Sequence, residues 1–306
     1  FFFKQKTAYE ISTRDWSSDV CSPILTETGH IASRDRQIHW GQECRDQGAM
    51  VREFVKWDYE LRGAEQLHDI IDRALAIAHA APQGPVYLSL PREVLHQQSP
   101  PVPARGSQAR VSASAPDPMA VEDIARAMAQ ARRPLIITAR AGREPEAVPL
   151  LAALSSERAW PVVEFRPRYL SLPNRHPMHG GYEVRPWLEE ADAILVLDCD
   201  VPWIPAQVEP RADARIFQIG NDPLFARYPT RGFRSDGTVQ ASPAAFLQAL
   251  GAALSKLDID SRDRADRLAW LQRIQASNRT QLAAAINQGS TAQGPLTMAA
   301  VSHVLG

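Results

Sequence analysis

Between Met119 and Leu254 the chain alternates helix-patterned stretches with short apolar runs that lack any polar–apolar alternation. A strand with one face in water alternates, whereas a strand buried on both faces does not, and parallel sheets flanked by helices hold strands of the second kind. The order begins with a helix that places Val121, Ile124, Ala125 and Met128 inward, a strand Pro134 to Thr138, a helix Pro145 to Ser155 and a strand Trp160 to Phe165. It continues with a helical turn Pro186 to Glu190, a strand at AILVLDCD, a strand Arg215 to Ile219 and a helix Pro243 to Leu254, with Phe246, Leu247 and Leu250 on one side. This rhythm predicts an α/β fold built on a Rossmann-like parallel sheet.

The rest of the chain divides around that block. Residues 64–80 space Leu67, Ile70, Ile71, Ala74, Leu75 and Ala78 as one helical stripe, and after the Pro82, Gly84 and Pro85 break a short strand Val86 to Leu90 closes at Pro91. Helix, turn and strand make part of a second α/β domain, expected over residues 24–96. The Pro-, Ser- and Ala-rich stretch 97–118 reads as an extended linker and 119–255 as the sheet domain. A long amphipathic helix, Arg262 to Asn287, with Leu268, Leu271, Ile274 and Leu282 among its apolar positions, opens the segment 256–306 and is expected to lead into a further domain. Residues 1–23, which begin at Phe1, resemble a translated sequencing adapter; a polar tail is the alternative, and neither carries chemistry. The chain is expected to be a piece of a longer protein, broken before about Ile24 and after Gly306.

Composition narrows the function. A formal net charge of -1 gives no electrostatic footprint for nucleic acid or an anionic membrane. No apolar run reaches the roughly 18–20 residues of a spanning helix. Cys21, Cys44 and Cys199 are too far apart for a CxxC or a disulfide framework, which suits reduced thiols in a cytoplasm. GxSxG, HExxH and Walker loops are absent from the 306 residues, which disfavours a self-contained hydrolase or phosphotransferase.

In an open parallel sheet, ligands bind beyond the carboxyl ends of the strands. After Ile137 the loop TARAGREPEA offers Gly142 and a helix N-terminus to an anion, or is an ordinary turn, since a lone glycine is no dinucleotide fingerprint. After Leu197, Asp198 and Asp200 stand at the mouth of the sheet beside the flat ring of Trp203; they suit a ribose or an adenine, or satisfy backbone donors in a turn. After Ile219, Asn221 and Asp222 either hydrogen-bond a nucleotide or start a turn. His176 and His179 have a proline between them and no third ligand at metal-binding spacing, so no metal site is expected.

The segment Gln42 to Leu95, carrying GQE, FVKW and ALAIAHAAPQGPVYLSLPREVL, resembles the last part of the pyrimidine-binding domain of acetolactate synthases and related thiamine diphosphate enzymes. The resemblance implies that Gln42 and Glu43 match the family's Gln-Glu pair, whose glutamine lies near the cofactor pyrimidine, and that Lys56 matches a lysine bordering the substrate channel. Met119 to Leu254 then resembles the family's central domain, a six-stranded parallel sheet of DHS-like type that binds FAD in true acetolactate synthases and is structural in many relatives. The chain lacks the family's second glycine in the loop after Ile137 and the arginine that the family has near the DCD turn, so the resemblance implies an empty or vestigial nucleotide site rather than bound FAD. The final TMAAVSHVLG resembles the opening helix of the diphosphate-binding domain.

Two catalytic elements of the family are missing. The activating glutamate lies upstream of the Gln-Glu pair, where this chain has the adapter-like segment. The metal-binding GDG has as its nearest candidate Ser235-Asp236-Gly237, without the first glycine or the following asparagines. The resemblance therefore implies a cytoplasmic parent enzyme that uses thiamine diphosphate and Mg2+ on a 2-oxo acid, by carboligation or decarboxylation, as a homodimer or tetramer. The 306-residue chain itself is expected to be inactive. The alternatives are a stand-alone module binding FAD or a nicotinamide nucleotide and a structural oligomerisation piece.

Overall fold

A computed structural model describes residues 45–98, 115–258 and 260–291, with isolated residues at 101, 109, 111, 112, 298, 301 and 302. The chain divides into two compact units, Phe1–Ser112 and Ala113–Gly306. Gln42 and Glu43, with Cys21, Cys44 and the adapter-like segment, lie outside the described residues.

In the first unit, α1 (Gln47–Val51) precedes β1 (Trp57–Glu60), α2 (Leu67–His79), β2 (Val86–Ser89) and α3 (Arg92–Leu95). The two strands run parallel, Trp57 beside Val86 and Glu60 beside Ser89, with α2 as the crossover between them. The expected helix 64–80 is an α-helix over 67–79 led by a 3-10 turn, Ala64–Gln66. Ala74 and Ala78 are its buried positions, and Leu67 and Ile70 pack against Leu61, Ala64 and Val94.

The second unit is the predicted parallel sheet. Its elements are α4 (Pro118–Gln130), β3 (Pro134–Thr138), α5 (Ala147–Arg158), β4 (Val162–Glu164), α6 (Arg185–Leu188), β5 (Ala193–Leu197), β6 (Arg215–Gly220), β7 (Gly237–Gln240), α7 (Pro243–Leu254) and α8 (Ser261–Thr291). Asp117 starts α4 by accepting the Met119 N–H, with Pro118 set in the first turn where its missing donor is no loss. The strands are ordered β4-β3-β5-β6-β7, every pair parallel. Every residue of β3 and β5 is buried; the one polar member, Thr138, accepts the Ala141 N–H with its hydroxyl.

Side chains alternate across the sheet into two separate cores. Ile136, Leu195 and Phe217 face Val121, Met128, Leu151, Phe246 and Leu250, while Leu135, Ile137, Ile194 and Val196 face Trp187, Leu188, Trp270, Leu271 and Ile274. The long helix α8 thus contributes to the second core through residues 270–274. Leu282, one of the apolar positions read from the sequence, is 56% exposed.

The sheet has five strands among the described residues, where the resemblance implied six. The sixth place, outside β4, is held by Met178–Gly181, which exchanges three backbone hydrogen bonds with Val162 and Glu164 at 2.7–3.1 Å. Pro177 and the Gly180-Gly181 pair, with Gly181 at φ +91°, keep it from becoming a regular strand. Gln275 of α8 donates its amide to the outward carbonyls of Pro177 and His179, both at 3.0 Å, so this edge is covered. The short strand β7 had no clear sequence signal, being four residues led by a glycine with only Val239 buried.

At the opposite end of the sheet from the strand carboxyl termini, the last turns of α4, α5 and α7 converge and would leave their carbonyls unpaired. Arg267 of α8 closes two of them, donating to Ala129 and Ala131 at 2.6–3.2 Å and to Arg158 O at 3.3 Å. Arg158 in turn donates to Leu254 O and Leu257 O. A cavity of about 260 Å³ lies beside these arginines, at the wrong end of the sheet for a ligand site of this fold.

Candidate functional site

The chain leaves β3 for β4 on one side and later returns to β5 on the other, so the crevice of a doubly wound sheet opens between the ends of β3 and β5. Gly142, Asp198, Asp200 and Asn221 all lie in the loops around it, as their positions just after strands imply. Each is engaged by the protein itself.

Gly142 donates its N–H to Ser171 Oγ at 3.1 Å. The contact is close enough that a Cβ at position 142 would stand 1.8 Å from the Leu170 carbonyl oxygen, so only glycine fits beneath this loop. Glu164, at the end of β4, fastens the loop by accepting the N–H groups of Ser171 and Leu172 at 2.6 and 3.3 Å. Its other oxygen meets His179 Nε2 at 2.9 Å. His179 Nδ1 accepts the Gly181 N–H, which places the ring proton on Nε2, directed at the carboxylate. His176 Nδ1 likewise accepts from Met178, leaving Nε2 for Ser156 Oγ. Among the described residues no group of three or more metal-ligating side chains converges.

Asp200 is the most heavily contacted carboxylate of the crevice. Tyr228 donates its hydroxyl at 2.6 Å, and Arg140 and Arg168 pair with the same oxygen, Arg168 at 3.3 Å. Burial disfavours its ionised form, but the Tyr228 hydroxyl and the two guanidinium groups outweigh it and hold the carboxyl below its usual range. Arg231 completes the surround, donating to Asp200 O, Cys199 O and the Gln218 side chain. Arg140 and Arg231 both lie against the ring of Phe225, at 5.0 and 4.9 Å from its centre. Burial pushes the Cys199 thiol up to about 12, so it stays protonated.

Asp198 behaves oppositely. Its backbone is left-handed, at φ +45°, and burial raises its carboxyl above the usual range against the pull of Arg140 and Arg143. A raised folded-state value means the ionised form destabilises the fold. That penalty is absent at acid pH, grows as pH rises through the ordinary carboxylate value, and is complete above the folded value. Asp198→Asn removes the charge and keeps a side chain that tolerates this backbone. The variant should be more stable than the parent at pH 7, with the advantage shrinking towards pH 3 in denaturant titrations; a pH-independent difference would contradict this origin.

Asn221 donates its side-chain amide to Glu144 Oε1 at 3.1 Å, and the other Glu144 oxygen accepts the Ala244 N–H at the start of α7, at 3.0 Å. Asp222 accepts the Ala226 N–H, which is the turn reading of that residue. Trp203 offers no flat platform: it is 3% exposed and edge-on to Phe233. In the first unit, Lys56 donates to Ile77 O and Ala80 O, both at 2.7 Å, closing the end of α2, and burial lowers its pKa. Ser235-Asp236-Gly237 starts β7, with Asp236 accepting the Ile216 N–H.

Although the family's arginine is missing from the sequence around the DCD turn, Arg140, Arg168 and Arg231 reach it in the fold. Arg140, two residues past β3, was legible as a strand-end residue; Arg168, Tyr228 and Arg231 come from loops about 30 residues away in either direction and gave no local signal. Glu144 was missed for the same reason, its partners lying 77 and 100 residues on.

Residues 121–250 match the central domain of the thiamine pyrophosphate enzymes. The chain is 26% identical over 290 residues to sulfoacetaldehyde acetyltransferase of Rhodobacter capsulatus, covering 88% of this chain and 46% of the relative. It is 28% identical over 276 residues to a protein of Pseudomonas aeruginosa named as a probable 2-ketoarginine decarboxylase, covering 84% and 45%. Among solved structures, a thiamine diphosphate-dependent 4-hydroxybenzoylformate decarboxylase of Rhodococcus jostii shares the fold with a TM-score of 0.59 at 22% identity, over 72% of this chain and 42% of that one. The chain therefore spans about half the length of the curated relatives it matches. Among the described residues no helix is long and apolar enough to cross a membrane.

Proposed function

We propose, from the match of residues 121–250 to the central domain of the thiamine pyrophosphate enzymes, that the chain belongs to these enzymes and serves as the non-catalytic body of an acetolactate synthase-like enzyme acting on a 2-oxo acid. The reaction is carboligation or decarboxylation, with thiamine diphosphate and Mg2+, in a cytoplasmic homodimer or tetramer. Bound thiamine diphosphate supplies the carbanion chemistry; the protein positions it. The relative named as a probable 2-ketoarginine decarboxylase supports this substrate class.

The observation that carries the reading is the state of the crevice, where Gly142, Asp200 and Asn221 are committed to protein partners rather than arrayed around an opening. Nor do the described residues fit the diphosphate and its metal, since Asp236 is a strand-pairing residue. No catalytic step is assigned to this domain. Gln42 and Glu43 at the pyrimidine and Lys56 at the substrate channel belong to the same proposal.

Turnover assays test it. The purified 306-residue chain, given thiamine diphosphate, Mg2+ and pyruvate, is expected to release no carbon dioxide and form no acetolactate. The polypeptide translated from the uninterrupted frame around it should turn over a 2-oxo acid only with both cofactors present. Thiamine-independent turnover, or none with any 2-oxo acid, would contradict the reading.

A further inference from the structure

We propose that Glu144 is a built-in anion that closes the crevice of the sheet domain to phosphorylated nucleotides. The inference deepens the reading of this domain as a body without a nucleotide and rests on it. In folds of this shape a nucleotide phosphate is received by backbone N–H groups at a helix N-terminus, by the glycine turn after the first strand, and by nearby cations. Here the glycine N–H, the helix N–H and the Asn221 amide each have an acceptor from the chain itself, and the arginines pair with an internal carboxylate, although the buried Arg140 Nε has no acceptor among the described residues. The Gly142 N–H is held by Ser171 Oγ, the Ala244 N–H and the Asn221 amide by the two oxygens of Glu144, and Arg140 and Arg168 by Asp200.

Glu144 is not the ordinary cap of α7. That role belongs to Ser242, whose Oγ accepts the Ala245 N–H at 3.2 Å. Glu144 comes from the β3–α5 loop, 100 residues earlier, and reaches the adjacent N–H as a tertiary contact. Its carboxylate places a negative charge at the positive end of a twelve-residue helix, the position a phosphate would take. Having two oxygens, it satisfies both donors at once, so an entering diphosphate gains nothing from either without displacing it and meets its charge on the way.

Titration calorimetry of the full 306-residue chain with ADP, the part shared by FAD and the nicotinamide dinucleotides, tests this. The parent protein is expected to show no saturable binding at millimolar ADP, and Glu144→Ala to bind at least about tenfold more tightly, since two donors are freed and one repelling charge is lost. Glu144→Gln, which keeps the shape and one acceptor oxygen, should gain affinity to a smaller degree. It serves as the readout if the alanine variant fails to fold. Folded variants no tighter for ADP than the parent would overturn the proposal, as would a parent chain that already binds ADP with Glu144 in place. Neither result bears on thiamine-dependent turnover of the uninterrupted polypeptide, so failure of the functional reading remains separately visible.

Discussion

Arg267→Ala should destabilise the sheet domain by about 3–5 kcal/mol, because it leaves three buried carbonyls without the donor that serves them. The guanidinium is 2% exposed, and burial lowers its pKa, yet it is kept charged and in place by the carbonyls of Ala129, Ala131 and Arg158. Truncation leaves those carbonyls, at the ends of α4 and α5, without their donor, and each unsatisfied buried group costs about 1–3 kcal/mol. Water entering the neighbouring cavity of about 260 Å³ relieves part of this and places the effect below the sum. For a domain of this size the melting temperature should fall by roughly 10 °C. Arg267→Met separates packing from hydrogen bonding: it keeps an apolar stem but no donors, and should lose nearly as much in urea titrations. A methionine variant as stable as the parent would show that the stem, not the carbonyl contacts, secures α8.

Trp270→Ala should cost a comparable amount, about 3–5 kcal/mol, by a different cause. Trp270 is 2% exposed and meets Trp187 edge-to-face, with ring centres 5.1 Å apart, in the core between the sheet and α8. Removing the indole leaves a large void against a ring that is itself anchored, since Trp187 Nε1 donates to Gly180 O and the surroundings cannot easily collapse. The Trp270 indole nitrogen has no acceptor among the described residues, so Trp270→Phe keeps the ring contact and removes an unpaired donor. Phenylalanine should recover most of the loss. If alanine at position 270 changes the unfolding midpoint by less than a few tenths of a kcal/mol equivalent, α8 does not form part of this core.

How much of this was legible beforehand depended on the range of the interactions. The buried strands β3 and β5 were readable because runs of four and five apolar residues, 134–137 and 193–197, admit few other placements, and α7 because Pro243 stands at its start while Phe246, Leu247 and Leu250 mark its inner face. The edges were harder. Strand β7 has one buried residue, and the sixth place of the sheet is taken by a glycine-broken segment that depends on Gln275, almost a hundred residues later.

The same division holds in the crevice. Gly142, Asp198, Asp200 and Asn221 follow strands, so topology alone brings them to one end of the sheet. Whether they face an open site or one another was decided by Glu144, Ser171, Tyr228 and Arg168, whose positions follow only from the folded chain. Lys56 shows the converse: a family motif marks the residue, while its immediate contacts are two carbonyls at the end of α2.

Gly142, Asp200 and Asn221 of the sheet-domain crevice are held by the protein's own side chains, at the place where a nucleotide would enter a sheet of this kind. The most direct test is the visible absorption spectrum of the purified 306-residue chain after incubation with excess FAD and gel filtration. A colourless protein whose melting temperature FAD leaves unchanged is expected; a yellow protein retaining stoichiometric flavin would show that the crevice is open to the nucleotide.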